Sequence, residues 1–228
     1  MRVLGLDTAT WRATVGVVVD GVVRAERFQA GRGNHAVTLL PLIDEALQAA
    51  GLSIDRIDGI AVSNGPGSFS GLRVALGVAK GIVCATGAAL VAVPTLEALA
   101  RSVAHVAGGR AVCAVLDARK GEVYAAAFLV SDAGCSRLLD DGVFTAAAAA
   151  DVLPRPCVIV GDAVTAYGAL FAARLGEDVT LLPVDTYGPR GGTVGLIGWE
   201  RLRTGARDDA AALEPFYIRP SDAERKAS

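Results

Sequence analysis

Histidine is nearly absent from this chain: only His35 and His105 occur in 228 residues. A catalytic zinc or iron site ordinarily needs two histidines at helical spacing. Leu39 stands where a partner for His35 would sit one turn on, and His105 is isolated, so neither marks a metal site. Cysteine is also sparse. Cys84, Cys113, Cys135 and Cys157 form no CxxC pair, which removes zinc knuckles and CxxC redox motifs. Buried free thiols in a reducing cytosol are the expectation. Neither charge dominates: 22 basic and 24 acidic residues leave a net charge of −2, unlike a strongly basic nucleic-acid binder. Long apolar runs are missing too. The longest candidate, "GIVCATGAALVAVPTL" between Lys80 and Glu97, is short for a membrane span and holds Gly87 and Pro94. Asp7 interrupts the first apolar run, against a signal peptide. A soluble, cytoplasmic protein with no membrane partner is expected.

What remains is a hydrophobic chain. Apolar residues make up 52% and charged ones 20%, enough for a core in one large domain or two small lobes. "VLGLDTAT", "ATVGVVVDG" and "VVRAERFQ" read as three successive strands, the second closed by a turn at Asp20-Gly21. "HAVTLLPLIDEALQAAG" follows with Leu39, Leu42, Ile43, Ala46 and Leu47 at helical spacing. Pro41 either kinks that helix or marks its start. "DGIAVSNGPG" is a strand running into a glycine loop, "FSGLRVALGVAKGIVCA" a helix, "ALVAVP" a strand and "TLEALARSVAH" a helix.

The plan then restarts. "AVCAVLDARKGEVYAAAFLV" repeats a strand ending in aspartate, a connector and a second strand, so Asp117 takes the place of Asp7. "PCVIVGDAVTAYGALFAARLG" repeats strand, glycine loop and helix. The repeat is one of plan rather than of residues, and it predicts two α/β lobes. The expected bounds are 1–105, 106–220 and a polar tail at 221–228. "TAAAAADVLP" and "VGLIGWERLRTG", both in the second lobe, read as helices.

Two stretches carry candidate chemistry. "GPGSFSG" could offer backbone N–H groups to an anion. It is neither GxxxxGK[ST] nor GxGxxG, and Pro66 removes a donor, so a close-packing turn is the alternative. In "DTAT", an aspartate closing a strand before hydroxyls can hold a metal–phosphate group, which makes Asp7, Thr8 and Thr10 nucleotide-binding candidates; such residues also simply make turns. The helix after the glycine loop has two apolar lanes, Leu72, Leu76, Ala79, Val83 and Gly71, Ala75, Val78, Ile82. Two lanes predict cover from two directions, by a neighbouring helix of the chain or by another subunit. There is no GxSxG elbow and no cysteine in a nucleophile motif, so a hydrolase has the least support.

"VLGLDTAT", "NHAVTLLPLIDEAL", "AVSNGPGSFSGLRVALGVAKG", "VLDARKGEVYAAAF" and "PFYIRP", in that order, resemble the bacterial TsaB family, also called YeaZ. The likeness covers nearly the whole chain. The family usually has Thr where Ser70 stands, and residues 131–157 match poorly. The resemblance implies an α/β, actin-like (ASKHA, ribonuclease H-like) duplicated two-lobe fold, as in sugar kinases and Hsp70 chaperones. It also implies a place in the machinery that forms N6-threonylcarbamoyladenosine at position 37 of ANN-decoding tRNAs. There the transfer belongs to a paralogous TsaD subunit with a metal-binding histidine pair, and a TsaE ATPase joins them. On that likeness this chain is a non-catalytic partner that dimerises with itself when alone and meets tRNA only through the complex. It needs no cofactor by itself, and ATP or ADP with magnesium belongs to the complex. The older peptidase label of the family finds no protease residues here. Subunit contact is expected at Gly65, Pro66, Gly67, Ser68, Phe69, Ser70, Gly71, Leu72, Arg73, Ala75, Val78 and Ile82. The alternative is an independent ATP-dependent enzyme of the actin-like superfamily, with "DTAT" and "VLDAR" as its phosphate loops.

Overall fold

A computed structural model describes residues 1–30, 35–131 and 134–219. They divide into two units, 1–98 with 189–216 and 99–188 with 217–219. In unit 1, β1 (Arg2–Asp7), β2 (Arg12–Val19) and β3 (Val22–Ala30) form an antiparallel meander. Asp20 and Gly21 turn it with φ of 49° and 77°, the paired positive values that match the twist of a tight hairpin. Helix α1 (His35–Ala49) leads to β4 (Gly59–Gly65), α2 (Phe69–Thr86) and β5 (Ala89–Pro94). The sheet order is β3-β2-β1-β4-β5, with β4 and β5 parallel to β1. Pro41 lies inside α1, and the five apolar residues predicted to form its inner lane are all buried.

Helix α3 (Thr95–Ser102) carries the chain into unit 2, which begins at Leu99 within it and continues with α4 (Ala104–Ala107). Here β6 (Ala111–Arg119), β7 (Glu122–Ser131), β8 (Gly134–Thr145), α5 (Ala146–Val152), β9 (Cys157–Val160), α6 (Ala163–Leu175) and β10 (Val179–Leu181) repeat the element order of unit 1. The sheet repeats too, as β8-β7-β6-β9-β10. The duplication of plan is therefore real, down to strand order.

Helix α7 (Gly191–Arg203) departs from the expected domain bounds. The sequence plan puts it with 106–220, yet it packs on β1, β2 and β4 of unit 1. Gly191, Gly192, Gly195 and Gly198 form one lane along the helix. A Cβ on Gly5 would overlap the backbone of Gly191 and Gly195, one on Gly16 that of Gly191 and Gly192, and one on Gly198 the Cβ of Ala61. Backbone meets backbone, which only glycine permits. Val194, Ile197 and Leu202 then join Val3, Val18, Ala61 and Val91 in a core on this face, while α1 and α2 build the larger core on the other. The tail expected at 221–228 lies outside the described residues.

Candidate functional site

The β1–β2 turn and the glycine loop of unit 1 are locked together. Asp7 is fully buried; its Oδ1 accepts from Ala9 N at 2.9 Å and its Oδ2 accepts from Ser63 Oγ at 2.6 Å. Burial pushes the Asp7 carboxyl up to about 6, against the opposing pull of Ser63, the Ala9 amide and the charge of His35. Thr8 Oγ1 donates to Gly71 O at 2.6 Å, and Ser68 N donates to Ala9 O at 2.7 Å. Side chains on Gly67 or Gly71 would strike the carbonyls of Ala9 and Thr8. Thr10 Oγ1 lies 3.4 Å from Arg12 N, and Thr10 O lies 3.0 Å from His35 Nε2. The glycines thus let two backbones touch. Ser68 caps α2 by accepting from Gly71 N at 3.3 Å, and Gly87 ends the helix at φ 72°. The 206–216 segment closes the other side: Phe216 N donates to Asn64 O at 2.6 Å, and Thr95 Oγ1 accepts from Gly65 N at 3.1 Å.

This geometry bears on the nucleotide candidates. Asp7, Thr8 and Thr10 are brought together as expected, but all three are buried and their side chains are engaged within the loop pair. A phosphate held by those groups would have to displace bonds to Ser63, Ala9 and Gly71. In unit 2, Asp162 Oδ1 accepts from Asp117 N at 2.8 Å, and the Asp117 carboxylate accepts from Arg119 N and Nη1 at 2.8 and 2.9 Å. Among the described residues, no cluster of three or more His, Cys, Asp or Glu could hold a metal ion.

The expected contact residues separate into three groups. Ser68, Phe69, Ser70 and Arg73 are exposed, with the Arg73 guanidinium 4.0 Å above the Phe69 ring. Gly67, Val78 and Ile82 are half-buried. Gly65, Pro66, Gly71, Leu72 and Ala75 are buried inside the chain and present no surface. Ala75 is 0% exposed and belongs to the unit 1 core, with Val78 and Ile82 packed at its margin. The second apolar lane of α2 is therefore core, because α1 lies beside α2 on the same sheet face. The face that remains open runs through Phe69, Ser70, Arg73, Gly77, Gly81 and Cys84. A Cβ at Gly77 or Gly81 would meet nothing within 4 Å. Val37, Leu40 and Phe69 are 62%, 53% and 42% exposed, and α1 supplies the first two. No motif marks these α1 residues; their sequence signal is being apolar outside the buried lane. Among the described residues α2 is the one helix long and apolar enough to cross a membrane, with mean hydropathy 1.4, and 28% of it is buried.

Comparison with known proteins places the molecule. A duplicated βββαβαβ plan with these sheet orders is the actin-like fold. It shares this fold with the ROK hexokinase of Thermus thermophilus, at TM-score 0.50 and 13% identity over 90% of this chain and all of that one. YeaZ from Pseudomonas aeruginosa superposes at TM-score 0.80 with 25% identity, over 95% of this chain and 99% of that one. The model of the family described as TsaD, tRNA N6-adenosine threonylcarbamoyltransferase, matches residues 29–227. The tRNA threonylcarbamoyladenosine biosynthesis protein TsaB of Bacillus subtilis is 24% identical over 99% of this chain and 97% of its own length. TsaB of Escherichia coli is 36% identical over 54% of this chain, and the match spans about half (53%) of that relative. The chain belongs to the TsaB/YeaZ branch of this family.

Proposed function

We propose that this chain is the non-catalytic subunit of the cytoplasmic machinery that forms N6-threonylcarbamoyladenosine at position 37 of ANN-decoding tRNAs. Its task is to bind and activate a TsaD-like catalytic subunit. A TsaE-like ATPase joins that pair, and tRNA is met through the assembly. One observation carries the reading: α1 leaves Val37 and Leu40 exposed and α2 leaves Phe69 exposed, on helices that cover the same face of one sheet. Apolar side chains grouped on one helix pair favour a protein partner. The engaged side chains of Asp7, Thr8 and Thr10 favour a scaffold over an independent ATP-dependent enzyme. When the partner is absent, a second copy covers the same face.

Leu40→Asp tests this. It places a charge in the contact while leaving a side chain that is already half exposed. Tagged chain recovered from cells brings down a histidine-pair-bearing paralogue, and the variant loses it; light scattering shows a dimer that becomes a monomer at an unchanged melting temperature. Purified chain with ATP, threonylcarbamoyl-adenylate and tRNA forms no modified adenosine. Product from verified partner-free protein, or a variant that keeps its partner, overturns the reading.

A further inference from the structure

Residues 206–216 end unit 1 without a helix or strand of their own, and most of them are exposed. They fill two gaps in the sheet. The first is the open edge of β5, the last strand in the order β3-β2-β1-β4-β5. Asp208 N donates to Leu90 O at 2.9 Å, and the Asp208 carboxylate accepts from Ala92 N at 2.7 Å. One residue thus satisfies both an acceptor and a donor of the edge, as a paired strand would. The second gap is a bulge in β4. Ser63 pairs with Val93 and Gly65 with Pro94, so Asn64 has no opposite residue on β5. Its carbonyl accepts from Phe216 N at 2.6 Å. Between these two attachments Ala210 and Leu213 rest on the margin of the unit 1 core.

The second attachment bears on the start of α2. A Cβ on Gly65 would overlap Phe216 O, so the segment lies directly on the glycine loop. Gly67 and Gly71 meet the carbonyls of Ala9 and Thr8 in the same close way. Two elements therefore hold the loop that leads into exposed Phe69, Ser70 and Arg73. One is the β1–β2 turn, where Asp7, Thr8 and Ala9 are buried. The other is the 206–216 segment, where Asp208 and Phe216 are exposed. Attachments open to solvent are the first to release. We propose that 206–216 is a releasable strap that positions the start of α2. Fastened, it fixes the glycine loop so that Phe69, Ser70 and Arg73 face a partner in one arrangement; released, it lets that end of the helix loosen. This rests on the reading of α2 as part of the partner contact. Asp208 and Phe216 act through the loop and are positioning residues, not contact residues.

Hydrogen exchange on the isolated full-length chain reads the strap. Phe216→Pro removes the amide that Asn64 O accepts. Amides at 67–73 should then exchange about five- to tenfold faster, the effect of one lost hydrogen bond on a local opening, while those of α1 keep their wild-type rates. Asp208→Ala, at the far attachment, speeds the same amides to a smaller extent, and that of Ala92 with them. Phe216→Leu keeps the amide and exchanges as wild type. In titrations with the histidine-pair-bearing paralogue, Phe216→Pro and Asp208→Ala bind more weakly, in that order. Leu40→Asp loses the paralogue with wild-type exchange at 67–73, so the two readings fail separately. A wild-type chain that binds no paralogue sinks the partner reading alone, and the strap is then judged on exchange. Unchanged exchange at 67–73 in both strap variants overturns the proposal. So does faster exchange throughout unit 1, which would make the segment a general support, or faster exchange at 67–73 with undiminished binding.

Discussion

Units 1 and 2 have one plan and two outsides. Helices α1 and α2 of unit 1 expose Val37, Leu40 and Phe69. Their counterparts α5 and α6 expose mainly Thr165, Ala166, Ala169 and Ala172, with Val152 the only large apolar side chain in the open. Arg174 also reaches across from α6 to Asp151 of α5 at 2.7 Å. The first pair of helices leaves large apolar side chains open, and the second mainly small or polar ones. The sheets differ in the same way. Asp7 is sealed beneath a glycine loop, whereas Asp117 sits near the surface with Arg119. Topology is shared, and specialisation lies in what covers each copy.

The sharpest way to break the comparison is to give unit 1 a residue of unit 2. With Asp7 set against Asp117, Gly5 corresponds to Val115. Gly5→Val forces side-chain atoms into the backbone of Gly191 and Gly195, so α7 must lift off. The expected loss exceeds roughly 4 kcal/mol, seen as a chain that fails to give a cooperative melt. Ala75→Glu comes next. It buries a charge in the unit 1 core and should cost roughly 3 kcal/mol or more, lowering the melting temperature sharply. A dimer lost at normal stability would instead return Ala75 to the surface.

The third effect depends on pH. The folded-state pKa of Asp7 is raised to about 6 by burial, so the folded chain holds that proton more tightly than the unfolded one. Its stabilising contribution is complete below the ordinary aspartate range and is lost as pH rises through about 6. The shift corresponds to about 3 kcal/mol. Asp7→Asn should flatten that part of the stability profile between pH 4 and pH 8, as read by urea titration; an unchanged slope would show that Asp7 does not titrate there. The smallest effect belongs to Arg174→Ala. Both partners of that ion pair are about half exposed, so the loss stays under about 1 kcal/mol, and thermal melts in low and high salt would show it screened.

The sequence carried most of this fold through its periodicity. Strands β1 to β7, helix α1 and helix α2 all show in apolar spacing and turn residues. Strand β8 does not, because "GCSRLLDDGVFT" is an edge strand paired on one side, with register shifts and mostly half-open residues. Strand β10 has three residues and offers no period to read. Helix α7 was visible as a helix, but amphipathicity cannot say which sheet a helix will choose. The spacing of Gly191, Gly192, Gly195 and Gly198, matched by Gly5 and Gly16, was the available clue. At the site, "DTAT" and "GPGSFSG" stand out in the sequence, and the structure brings the two stretches against each other. Their mutual bonding through Thr8 and Gly71 was hidden, since it joins residues 63 positions apart.

The return of α7 to unit 1 has a consequence for synthesis. As the chain leaves the ribosome, the first five strands emerge early, but the face bearing Val3, Val18, Ala61 and Val91 has no cover until residues 191–203 appear. Unit 2 is translated inside that interval. Nascent unit 1 therefore keeps that face uncovered until the last stretch is made. A stop codon anywhere before α7 would leave that apolar face bare for good.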